Sequence, residues 1–127
     1  MKQNEIVKDK MKYIQSKIFI DLCSTLDGPV ILCGDMNDTP NSRAFHVINK
    51  NYINTYSAKG WGLSDTFGEY KINNKLKHIP FIKYLSHDFI RIDHIFVSKQ
   101  IKIKSANVIT AAKGSDHKPI VSVIELK

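Results

Sequence analysis

The stretch that most constrains the fold runs from Pro29 to Pro40. Val30, Ile31 and Leu32 make a short apolar run that reads as a buried strand. Gly34 then breaks the run, and Asp35 and Asn37 stand two residues apart where the strand gives out. Pro40 closes the loop, and Asn41 or Ser42 can cap a following helix. A strand feeding a polar turn and then a helix is a unit of layered α/β architecture. Polar groups at such a strand end are exposed in a crevice yet held on a rigid base. Taken alone, the turn also suits Asp35 and Asn37 as plain turn formers.

Upstream, Ile14, Ile18, Leu22 and Leu26 recur every fourth residue, and Met11 and Ile6 continue the stripe. Lys8, Lys10, Lys12 and Lys17 fall largely off it. The spacing predicts one helix over residues 4 to 26, its apolar side laid on a sheet. Asp27-Gly28-Pro29 supplies the stop. A helix feeding a buried strand is half of a βαβ unit, so the expectation is a missing N-terminal part that carries the preceding strand.

Downstream, residues 41 to 49 predict a short helix with Ala44, Phe45, Val47 and Ile48 inward. Tyr52 to Tyr56 read as a short strand, Lys59-Gly60-Trp61-Gly62 as a turn, and Asp65 to Tyr70 as an edge strand. Residues 71 to 90 are Lys-rich and then aromatic, and they read as an irregular insertion over the crevice mouth. His78 and His87 fall there as surface residues. Residues 91 to 98 form a second strand, with Ile92, His94 and Phe96 on one face and Asp93, Ile95 and Val97 on the other. Both faces are apolar enough to be covered, so Asp93 needs a cationic or hydrogen-bonding partner. Residues 101 to 109 and 119 to 126 close the chain as two further strands.

At 127 residues and 43% hydrophobic, the chain is at most one domain with a modest core, not a disordered tail. No apolar run is long enough to cross a bilayer as a helix, and no signal-peptide pattern follows Met1; localisation stays open. The net charge of +7 favours a polyanionic partner, nucleic acid or another phosphate ester. Cys23 and Cys33 have no metal or redox spacing and read as buried or half-buried thiols.

Three blocks carry the chemistry: Gly34-Asp35-Met36-Asn37, Arg91-Ile92-Asp93-His94-Ile95-Phe96 and Ser115-Asp116-His117-Lys118-Pro119. In this order they resemble the signature blocks of the endonuclease/exonuclease/phosphatase superfamily of metal-dependent phosphoesterases. The resemblance covers the C-terminal half of that family's domain. It implies an α/β layered sandwich, half of a DNase I-like four-layer α/β/β/α fold with antiparallel or mixed sheets and outer helices. It also implies roles. Asp35 orients or deprotonates the attacking water, and Asn37 helps hold that water and the phosphate. Asp93 pairs with the catalytic His117. Asp116 is associated with the metal site. Either Asp35 or His117 serves as general base. His94 stands where the family often has Tyr, a packing position, and neither Arg91 nor Ser115 is assigned a catalytic part.

These residue types suit phosphoester hydrolysis, which needs an aimed water and neutralisation of charge on the phosphoryl and leaving oxygens. Mg²⁺ or Mn²⁺ takes oxygen ligands, and a carboxylate-held His can donate to phosphate. The family's main metal-binding Glu, an early Asn and a further His belong to its N-terminal half and have no counterpart here. Two readings follow: a half-enzyme needing its N-terminal half or a partner chain, or a phosphate- or nucleic-acid-binding remnant without turnover. Members of the superfamily act on DNA, RNA, inositol phosphates or sphingomyelin, and the loop from 59 to 90 carries no readable motif that chooses among them.

Overall fold

The computed structural model describes residues 2–68, 90–111 and 114–126. Helix α1 is Lys2–Ser24, strand β1 Ile31–Asp35, helix α2 Arg43–Asn51, strand β2 Ile53–Asn54 and helix α3 Thr55–Lys59. Strands β3 Asp93–Val97, β4 Ile101–Val108 and β5 Ile120–Leu126 follow. Two antiparallel sheets result, one in the order β1-β3-β2 and one pairing β4 with β5. The insertion expected over 71 to 90, with His78 and His87, lies outside the described residues apart from Ile90, and so does Tyr70.

The register of β1 on β3 sorts their side chains. Leu32 lies opposite Phe96 and Gly34 opposite His94, while Ile31, Cys33 and Asp35 face Val97, Ile95 and Asp93. Alternation then gives each set its own face. On the first face Leu32 and Phe96 pack with Phe45, Ile48 and Tyr52 from the α2 segment and with Cys23 from α1. On the second, Val97, Ile95 and Ile53 meet Ile101, Ile103 and Ile124 of the two-stranded sheet. The three-stranded sheet is therefore covered by helices on one side and by the second sheet on the other.

Helix α2 starts as its sequence predicts. Ser42 is extended, and its side chain accepts the Phe45 N–H. The strand expected over 52 to 56 is cut to two residues. Asn54 sits extended and its side chain accepts the Ser57 N–H, so a cap turns the chain into α3. Tyr56 then fills the core, and its hydroxyl lies 3.0–3.1 Å from the carbonyls of Trp61, Gly62 and Leu63. Gly60 is required there, because a Cβ would stand 2.5 Å from the Tyr56 ring.

Helix α1 forms where the periodicity places it, but the apolar stripe faces outward. Ile14, Ile18 and Leu22 are 46%, 63% and 63% exposed. Ser16 and Cys23 are the buried positions, and α1 packs chiefly against α2. Small side chains let the two helices approach closely, and that contact chooses the buried side over the greasier one. Cys33 is likewise exposed rather than buried, and Ile31 is 50% exposed. Both lie on the sheet-facing side of β1 beyond the reach of β4 and β5. The edge strand expected from Asp65 is reduced to single bridges from Phe67 to Ile90 and to His117.

Candidate active site

Asp35 ends β1 and Asp93 begins β3, and the two are direct cross-strand partners. Like charges so placed repel, so the pair needs compensating groups. The turn after Asp35 supplies the first. Asn37 is left-handed, at φ 49°, a conformation that Asn tolerates better than most residues. From there its N–H donates to Asp35 Oδ1 at 2.7 Å and its side-chain amide to Oδ2 at 3.2 Å. The Lys12 ammonium of α1 donates to the Asn37 carbonyl and lies 4.0 Å from Asp38. Asp35 is thus a fixed carboxylate at an exposed strand end.

The second compensating group is His117. Its Nδ1 donates to Asp93 Oδ2 at 2.9 Å. That hydrogen bond raises the imidazole pKa above its ordinary value, helped by the negative charge of Asp93, Asp116 and Asp35 and opposed by burial. The partner that Asp93 required is the His the sequence nominated. The Ser115 hydroxyl accepts the His117 N–H at 3.1 Å, and the Phe67 ring lies 4.8 Å from the imidazole, centroid to centroid.

Sequence reasoning missed the brace that holds β3 to the His117 loop. Thr66 is fully buried, and its Oγ1 accepts the N–H groups of Ile92 and Asp93, each at 3.1 Å. Its own carbonyl accepts the Lys118 N–H at 2.7 Å. Next to it the buried Asp65 carboxylate pairs with the Lys118 ammonium. One buried segment, 65 to 67, therefore fixes Asp93 and His117 together. The only sequence signal is a polar Asp-Thr pair ahead of an aromatic residue, which looks like any loop.

The remaining nominated residues fall as follows. Asp116 is exposed beside His117, outside the donor cluster. His94 is fully buried. It stacks edge-on against Phe45 and donates from Nε2 to the Asp38 carbonyl at 2.8 Å; burial lowers its pKa. This is the packing role its position implied. Arg91 is buried over the Tyr56 ring and donates to the Ser57 hydroxyl.

Donor atoms of Asp35, Asp93 and His117 all lie within 4.8 Å of one another. Two carboxylates fit a hard divalent cation. His117 does not add a ligand at Nδ1, since that nitrogen carries the proton given to Asp93. The donor set present is therefore a partial shell for Mg²⁺ or Mn²⁺.

The family model of the Endonuclease/Exonuclease/phosphatase family matches residues 6–117. Among solved structures, an endonuclease/exonuclease/phosphatase from Bacteroides vulgatus superposes with a TM-score of 0.73 at 25% identity, over 94% of this chain and 45% of that one. A family protein from Bacteroides thetaiotaomicron gives 0.71 at 22% identity, over 94% and 46%. A mannosyl-6-phosphatase from the same organism gives 0.63 at 22%, over 91% and 44%. The chain thus spans less than half the length of these structures. No curated protein matches it.

Proposed function

The chain belongs to the Endonuclease/Exonuclease/phosphatase family, and on that premise we propose that it supplies one half of a metal-dependent phosphate-ester hydrolase site. In this reading the layers described above are the C-terminal half of the four-layer α/β/β/α domain. The observation that carries it is the convergence of Asp35, Asp93 and His117, drawn from three distant segments, at one strand end.

Each residue then has a task. Asn37 immobilises the Asp35 carboxylate, which aims a water and takes its proton. His117, kept protonated by Asp93, donates from Nε2 to a phosphoryl oxygen and offsets the charge that grows there. The raised imidazole pKa favours Asp35 over His117 as general base. Asp35 and Asp93, with Asp116 alongside, would hold the divalent cation, which supplies Lewis-acid stabilisation of the phosphoryl charge. The substrate is a phosphomonoester or phosphodiester, and the +7 charge tilts the choice toward a polyanion such as nucleic acid.

The test is hydrolysis of p-nitrophenyl phosphate and bis-p-nitrophenyl phosphate with Mg²⁺ or Mn²⁺. The isolated chain should hydrolyse little. Supplied with the first half of the domain it should turn over, and Asp35→Ala should remove the activity. The incomplete metal shell favours a second reading, a phosphate-binding remnant. Phosphate binding with no turnover in the completed domain would establish that one instead.

A further inference from the structure

Strand β1 has an open edge among the described residues. Val30 accepts the Ser98 N–H at 2.9 Å, and the Met36 N–H donates to Ile92 at 2.8 Å. In an antiparallel pair, alternate residues point at the partner. Residues 30, 32, 34 and 36 therefore bond β3, and the backbone groups of Ile31, Cys33 and Asp35 point away from it. Beside them lies a cavity of about 390 Å³, between Gln15 and Phe19 of α1, Cys33 and Asp35 of β1, and Phe45 of α2. Open edges with an apolar slot alongside are the usual seats for an added strand.

Helix α1 sets the direction of that strand. Lys12 reaches Asn37 at the far end of β1, and Cys23 packs with Leu32 near its start, so α1 runs antiparallel to β1. A strand leading into such a helix and lying in the same sheet runs parallel to β1, by the right-handed crossover rule. Its C-terminal end then arrives beside Asp35.

We propose that the β1 edge and the slot beneath α1 seat a parallel strand from the other half of the domain, whose C-terminal end adds a residue to the Asp35 site. This rests on the half-enzyme reading above. Solved relatives carry about as much chain again as the matched part, enough for such a half. The outward stripe of Ile14, Ile18 and Leu22 requires an occupant larger than a lone strand.

The experiment mixes the chain with the first half of the Bacteroides vulgatus relative, produced as a separate polypeptide. Amide hydrogen exchange is read at Ile31, Cys33 and Asp35, and sedimentation reads association. The expected result is a heterodimer in which these three amides slow at least tenfold. Cys33→Val, which keeps the N–H, should bind as the parent does. Cys33→Pro, which removes only an edge-facing N–H, should bind at least tenfold more weakly while keeping its melting temperature within a few degrees. Three results overturn the proposal: no association at 100 µM, association without protection of these amides, or pairing of β1 with a second copy of this chain. Protection without hydrolysis sinks the proposed activity and leaves the docking intact. Hydrolysis without protection does the reverse.

Discussion

Asp35 and Asp93 face each other directly across β1 and β3, two carboxylates in a position where a sheet ordinarily avoids like charge. The fold tolerates the pair because Asn37 occupies one and His117 the other. Remove either neutralising group, and the repulsion returns at the point where substrate phosphate has to sit.

The His117 pair gives a pH dependence with a definite sign. Its folded pKa is raised, so its stabilising contribution is complete below the unfolded imidazole value near 6.5 and is lost as pH rises through the higher folded value. Thermal melts in metal-free buffer should show the midpoint falling across that window. Asp93→Asn should flatten the fall and return the His117 ring titration, read by NMR, toward the ordinary value. An unchanged titration in Asp93→Asn would contradict the pairing.

Thr66 should matter more than a loop threonine. Thr66→Val keeps the shape and strands two N–H donors, each costing about 1–3 kcal/mol when buried without a partner. Thr66→Ser keeps the acceptor. Urea denaturation should show the Val variant losing at least ~2 kcal/mol and the Ser variant losing less than half of that.

Lys118 and Asp65 test the same brace from its charged side. Asp65 is 1% exposed, so Lys118→Met leaves a buried carboxylate alone, at about 3–5 kcal/mol for a broken buried pair. Pairing Lys118→Met with Asp65→Leu should recover most of that loss in denaturation midpoints. Additive losses in the double variant would show that the two residues act independently.

Asn37 separates backbone from chemistry. At φ 49°, Asn37→Gly is free of strain, whereas Asn37→Ala meets a left-handed penalty of about 1 kcal/mol. The Gly variant should melt close to the parent, and the Ala variant lower. In the completed domain both should lose turnover, since neither offers the side-chain amide to Asp35, the water or the phosphate.

Much of this was legible in the chain itself. The limits of α1, the Ser42 cap and the two faces of β3 follow from local pattern, and so does the need for an Asp93 partner. Other features are decided by neighbours distant in sequence. The buried side of α1 is set by where α2 can approach Ser16 and Cys23, which no periodicity within α1 reports. Cys33 looks like a core thiol until β1 is known to be an edge. Residues 55 to 59 carry strand-like Thr and Tyr, yet the Asn54 cap and the buried Tyr56 ring make them helical. Thr66 gives no local signal, because each of its partners is a backbone group brought in by the tertiary fold.

The most direct test of the site is Mn²⁺ titrated into the isotope-labelled chain, with paramagnetic broadening followed residue by residue. The account predicts that signals of Asp35, Asp93 and His117 broaden first, together with those of Asn37 and Asp116, and that Asp35→Asn with Asp93→Asn abolishes the effect. Broadening centred elsewhere, or unchanged in that double variant, would contradict it.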